Sequence, residues 1–191
     1  EFYSATGGDN WINNTNWCTN APISDWFGLQ THGVEVFWMD LHSNNLNGQI
    51  PASFSQLIDL EFINLSNNNL PGPISPAFSQ IPSIVTLDLS NTGATGNLPD
   101  GFVVPELMLS LYLYNNDLSG EIPLSYGDFS NLRNLALFNN QITGSIPEIL
   151  FDLPLLNSFN LSGNRLSGSL PDNIGAPQEL MYIHLGANLL S

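Results

Sequence analysis

Apolar and polar positions along the chain recur with a period of 24 residues. Aligned on one apolar position, seven copies begin at Val36, Leu60, Ile84, Met108, Leu132, Leu156 and Leu180. From each start the order runs apolar-x-x-apolar-x-apolar-x-x-Asn-x-apolar-x-Gly-x-Ile-Pro. The fifth copy spells it with Leu132, Leu135, Leu137, Asn140, Ile142, Gly144, Ile146 and Pro147. The apolar-x-apolar piece alternates with period two and predicts a short strand. Its fourth and sixth phrase positions point inward, and its third, fifth and seventh point out. A fixed period of this length marks a solenoid, in which each unit buries its apolar face against its neighbours. At ~4.8 Å per strand, seven copies make a parallel sheet roughly 30 Å long.

The remaining columns specify how the chain leaves and returns to that sheet. The ninth position reads Asn44, Asn68, Thr92, Asn116, Asn140, Asn164 and Asn188. An amide carries two donors and an acceptor, enough to satisfy backbone groups where the chain turns off a strand, so this column is expected to be structural. The glycines Gly48, Gly72, Gly96, Gly120, Gly144 and Gly168 suit a backbone of unusual dihedrals or close approach. Beyond Ile-Pro or Leu-Pro, a return path carries Phe54, Phe78, Phe102, Tyr126, Leu150 and Ile174 as a core spine, with Leu57, Ile81, Phe129 and Leu153 three residues further. Two copies depart from the pattern. The third reads Asn91-Thr92-Gly93-Ala94, losing the asparagine and the leucine, and the second has Ile74-Ser75-Pro76 for Ile-Pro. A plain loss of consensus accounts for both.

Residues 1–33 do not fit the repeat. They hold Trp11, Trp17, Trp26 and Phe27 among small polar residues and are expected to form a lid over the first repeat's apolar edge. The array then occupies residues 34–191, its last copy cut short after Asn188. Ile183, Leu185, Leu189 and Leu190 would there present an apolar edge. The expectation is that the edge continues into further repeats or packs on another chain.

The phrase closing on Leu-x-Gly-x-Ile-Pro, as in Asp117-Leu118-Ser119-Gly120-Glu121-Ile122-Pro123 and Arg165-Leu166-Ser167-Gly168-Ser169-Leu170-Pro171, resembles the plant-type leucine-rich repeat. That class includes ectodomains of plant receptor kinases, receptor-like proteins and polygalacturonase-inhibiting proteins. The stretches Tyr3-Ser4-Ala5-Thr6-Gly7-Gly8-Asp9-Asn10-Trp11 and Ala21-Pro22-Ile23-Ser24-Asp25-Trp26-Phe27-Gly28 resemble the cap that precedes such arrays. Plant caps usually carry paired cysteines. The disulfide-free form here is more similar to caps of bacterial, algal or other protist members. The resemblance implies an α/β-type solenoid: a right-handed superhelix with its parallel sheet on the concave face and loop or 3-10 returns on the convex side. It also implies extracellular or cell-surface display and ligand binding.

Charge narrows the partners. Seventeen acidic residues stand against Arg133 and Arg165, with no lysine, for a formal charge of −15. Nucleic acid and anionic membrane surfaces are disfavoured because both need Lys and Arg. No apolar run in this segment is long enough to span a bilayer. The acids are dispersed, as a solubilising surface would have them. Cys18 has no internal partner and no histidine near it in sequence, so it reads as a buried cap residue.

Candidate function lies in the outward columns. Trp38, Phe62 and Tyr182 stand at the third position, Asp40, Asp88, Tyr112 and His184 at the fifth, His42, Tyr114 and Phe138 at the seventh. Outward aromatics without packing duty, with carboxylates and amides beside them, can anchor a peptide or hold a sugar ring. The competing reading is that neighbouring rings shield each other. No cofactor is implied. Asp40, Asp88 and His42 lie too far apart for a metal site, since strands two apart are separated by nearly 10 Å. His42 and His184 sit on the first and last strands, about 29 Å apart, and no nucleophile–base or phosphate-binding motif appears. Three sequons begin at Asn13, Asn64 and Asn160; the latter two fall out of the repeat phrase, which leaves Asn13 the foremost glycan acceptor. The leading expectation is a non-enzymatic extracellular module binding a protein, peptide or polysaccharide on its concave sheet. The alternatives are a structural or adhesive surface protein and, as a lesser one, ice binding by the regular Asn, Ser and Thr columns.

Overall fold

Every apolar-x-apolar piece forms a strand in the computed structural model, which describes residues 1–191. The strands are Glu35–Asp40, Phe62–Asn64, Thr86–Asp88, Ser110–Tyr112, Asn134–Ala136, Ser158–Asn160 and Tyr182–His184. Consecutive strands pair in parallel without slipping register, Trp38 beside Phe62, Phe62 beside Thr86, and so on to Ser158 beside Tyr182. Each phrase position therefore becomes a straight column across the sheet. The inward positions are sealed: Ile63, Leu65, Leu87, Leu111, Leu113, Leu137, Phe159 and Leu161 are all buried.

Behind the sheet the returns are short 3-10 turns. Pro51, Pro123 and Pro147 stand at the entry of Ala52–Gln56, Leu124–Asp128 and Glu148–Asp152, where a fixed φ and a missing N–H cost nothing. Where Ser75-Pro76 displaces that proline, the turn shrinks to Phe78–Gln80. Phe54, Phe78, Tyr126 and Leu150 form the buried spine, while Phe102, Ile174 and Leu57 are only half-buried. Tyr126 donates its hydroxyl to the Pro99 carbonyl at 2.9 Å. Burial, with the Asp100 charge nearby, holds its phenol well above the ordinary tyrosine range.

The asparagine column is a ladder that ties each repeat to the one before. Asn140 donates to the carbonyls of Leu113 and Leu137, both at 3.0 Å, and its Oδ1 accepts the amide of Leu118. Asn68, Asn116, Asn164 and Asn188 repeat the pattern. Asn44 carries it into the cap, accepting from Asn13 N and donating to Asn13 O. At the broken rung Thr92 donates to Leu89 O and cannot reach back a repeat, and Leu70 N turns instead to the Thr92 carbonyl.

A second column escaped the sequence reading. The eighth position, just before the asparagine, is left-handed in every copy, with φ between 51° and 66° at Ser43, Asn67, Asn91, Asn115, Asn139, Gly163 and Ala187. Asparagine tolerates that conformation better than most side chains. Three of these amides hydrogen-bond in series, Asn139 to Asn115 at 2.7 Å and Asn115 to Asn91 at 2.9 Å. At the thirteenth position Gly48 shows why glycine is needed: φ is 139°, and a Cβ there would meet the Ala5 carbonyl oxygen at 2.0 Å.

The cap seals the array in two ways. Trp11 and Trp17 are buried, their rings edge-on at 4.9 Å, and their indole N–H groups donate to Thr6 O and Phe27 O. Leu29–His32 then pairs antiparallel with Glu35–Asp40, which gives the sheet eight strands and covers its first edge. Cys18 is exposed, contrary to its expected burial. The backbone is left-handed at Asn16 and Cys18 on either side of Trp17, and the indole takes the inner place. Phe27 also lies outside the lid, 38% exposed. At the far edge Met181, Ile183 and Leu189 are exposed, while Leu185 and Leu190 are half-buried. No helix is long and apolar enough to cross a membrane.

Two outcomes follow from these bonds. Asn140→Ala leaves the Leu118 amide without its acceptor, while Leu113 O and Leu137 O keep Asn116 and Asn164 as donors, and should cost about 1–3 kcal/mol, whereas exposed Asn139→Gly should change stability by under about 1 kcal/mol because it keeps the left-handed turn; urea denaturation distinguishes them. Stability should also fall above about pH 10. The phenol of Tyr126 ionises there in the unfolded chain but not in the folded one, so the contribution is whole below pH 10 and lost above it. Alkaline melts of Tyr126→Phe should show a shallower decline.

Candidate functional site

The concave sheet places the outward columns side by side and sorts the candidate residues into three groups. On the first two strands Trp38 and Phe62 lie face to face, ring centroids 3.5 Å apart and planes 6° from parallel. On the fourth and fifth strands Tyr114 and Phe138 do the same at 4.4 Å and 6°. Between them, Asp88 and Tyr112 are register partners in the fifth column. All six side chains are half-buried, against neighbours on the sheet.

These six form a diagonal band. It enters in the third column on strands one and two, crosses the fifth column on strands three and four, and leaves in the seventh column on strands four and five. Four strand spacings across and four residues along give a length of about 23 Å. The mutual shielding considered at the sequence level is real, because each ring hides a face of its partner.

The carboxylates are held locally. Asp88 Oδ1 accepts both the amide and the hydroxyl of Ser90, at 2.9 and 2.6 Å. Asn64 holds Ser66 and Asn160 holds Ser162 in the same way. On the first strand His42 takes the place of serine, its Nδ1 2.7 Å from Asp40 Oδ1. Outward direction alone therefore does not expose a residue: Ser66 and Ser90 are buried beneath the side-chain oxygens of Asn64 and Asp88, and Ser110 is buried under the amide of Asn134. A small hydroxyl beside a longer neighbour tucks in and satisfies itself.

Tyr182 and His184, on the last strand, are exposed and stand apart from the band. His32 stacks on Phe37 at 4.2 Å on the cap side, a pair the column analysis did not single out because Phe37 occupies the second phrase position. The sequons differ in setting. Asn64 and Asn160 are strand residues whose carbonyl oxygens hold a serine, whereas Asn13 lies in a cap loop and accepts only the Thr15 amide on its side-chain oxygen.

Comparison with known proteins agrees with this architecture. The leucine-rich-repeat family models match residues 35–93, 131–153 and 155–176. No curated protein sequence matches the chain. Among solved structures, a Pollen Receptor Kinase 3 is 33% identical over 91% of this chain and 84% of its own, with a TM-score of 0.78. The ectodomain of the Arabidopsis thaliana receptor kinase GASSHO1/SCHENGEN3, in complex with CASPARIAN STRIP INTEGRITY FACTOR 2, is 32% identical over 90% of this chain, with a TM-score of 0.86. PEPR1–AtPEP1 gives 29% over 95% and a TM-score of 0.86. This chain spans only 21% and 27% of the latter two. The chain belongs to the leucine-rich-repeat family and is of the plant type found in receptor ectodomains.

The Asp40–His42 contact is solvent-exposed, with His42 55% accessible. Asp40→Asn should therefore shift unfolding by no more than about 1 kcal/mol. A larger loss in thermal melts would mean that the pair fastens the cap to the sheet.

Proposed function

We propose that this chain is a non-enzymatic, extracellular or cell-surface recognition module that binds an extended peptide along the diagonal aromatic band of its concave face. The observation that carries the reading is the geometry of the two stacks. A sugar platform needs an open ring face, and here each ring gives one of its two faces to its partner. The stacks offer edges and the clefts beside them, where apolar peptide side chains can wedge at low entropic cost. At ~3.3 Å per residue, a band of about 23 Å accommodates about seven extended residues.

Charge selects among peptides. Asp88 lies within the band and Asp40 borders it, Glu61 is exposed on the second strand's flank, and the chain's net charge is −15. A neutral or basic ligand is steered toward such a surface and an acidic one repelled. The solved relatives support the same reading, since two of those described are named together with CASPARIAN STRIP INTEGRITY FACTOR 2 and AtPEP1.

The test is a screen of a displayed heptapeptide library against the folded domain, followed by titration of the selected sequence. Binding should weaken by at least about tenfold in Tyr114→Ala/Phe138→Ala, equivalent to 1.4 kcal/mol, and should fall as salt is raised. Leu124→Ser on the convex side should leave it unchanged. Glycan-array binding that survives the double variant would overturn both the ligand class and the site.

A further inference from the structure

The cap holds a cavity, open on one side to solvent, that the concave face does not use. It measures about 220 Å³ and lies between the first helical turn, the Trp26 loop and the first repeat. Phe2, Tyr3, Trp17, Trp26, Ile23 and Met39 supply most of its wall, with Glu1 and Cys18 the remaining polar or soft groups. The aromatic polar atoms are committed elsewhere. Trp17 N–H donates to Phe27 O, Trp26 N–H donates to Ala21 O, and the Tyr3 hydroxyl donates to Asp9 and accepts from Asn14. The space therefore offers ring faces and methyl groups and almost nothing that could hold a water.

We infer that this cap cavity is a binding site for one small, neutral aromatic molecule of one or two rings. Size sets the limit: an apolar cavity of ~150 Å³ takes up benzene, and drug-sized ligands need roughly 300 Å³ or more. Chemistry sets the class. An anion would lose its hydration without a partner and be repelled by the Glu1 carboxylate beside the cavity. Trp17 and Trp26 are in contact with each other, centroids 5.0 Å apart at 47°, and form one tilted wall against which a planar ring can make edge-to-face contact. Occupation of the cap also bears on the array, because Leu29, Val36 and Met39 line the cavity and belong to the hairpin that closes the sheet. The ligand would add to stability as the logarithm of its concentration above the dissociation constant.

Cys18 reports on occupancy, since its thiol is exposed and borders the cavity. The experiment follows the rate at which 5,5′-dithiobis(2-nitrobenzoate) modifies Cys18 while indole is titrated. Indole should slow modification several-fold to a plateau and raise the melting temperature, and benzoate, a ring with a charge, should do neither. Ile23→Trp, which fills the cavity from its own wall, should abolish the indole effect while the domain still melts cooperatively. Should that variant fail to fold, intermolecular NMR contacts from indole to the Met39 methyl and the Trp26 ring in the unaltered protein decide the matter. No plateau with indole, an equal effect of benzoate, undiminished protection in a folded Ile23→Trp, or the absence of those NMR contacts would overturn the site.

Discussion

The structure depends on one buried side-chain amide per turn of the solenoid. Each asparagine of the ninth column donates to a carbonyl in its own repeat and to one in the preceding repeat, while its oxygen receives an amide from that same predecessor. Removed from water, such groups are costly to leave unpaired, so one side chain fixes both the turn and its distance to the next copy. Register across the sheet follows from this, and so does the straightness of every column. The interaction is nearest-neighbour in character, as solenoid stability generally is. Its first rung, Asn44 with Asn13, makes the cap part of the same chain of bonds.

That ladder explains why the third copy survives its losses. Thr92 is too short to reach back to the preceding repeat, yet its backbone carbonyl takes the Leu70 amide that an asparagine oxygen would have held. Asn116 still receives the Thr92 and Ala94 amides from the other side. The fault is bounded by intact rungs, and Ala94 remains buried within the flanking sheet strand Ala94–Asn97. A solenoid contains such a defect locally because no distant part of the molecule leans on that turn.

With turn and core assigned to fixed columns, the outward positions are free to differ from copy to copy. Here they gather into a band, not an even array. Two stacked ring pairs sit in different columns, joined by Tyr112 and Asp88, and their planes face along the sheet axis because the strand spacing lets rings on adjacent rungs stack. The same spacing that builds the sheet thus determines which ring surfaces remain for a ligand. Edges and clefts favour side chains of a peptide over the flat face of a sugar.

The amino-acid sequence by itself determined the repeat, the strand positions, the inward and outward columns and the asparagine ladder. These follow from period and from the hydrogen-bonding capacity of one side chain. It also contained every aromatic of the band, because each occupies an outward position. The left-handed column ahead of the asparagine was equally present, as Asn67, Asn91, Asn115 and Asn139, but an asparagine column two positions wide reads as one signal until dihedrals separate them. Only the tertiary structure decided which outward residues are available. It buried Ser66 and Ser90 beneath Asn64 and Asp88, stacked the rings in pairs, left Tyr182 and His184 apart, and put Cys18 outside while Trp17 went in. Column membership is a property of spacing along the chain. Exposure depends on which neighbour is large enough to cover a residue, and that neighbour lies 24 residues away.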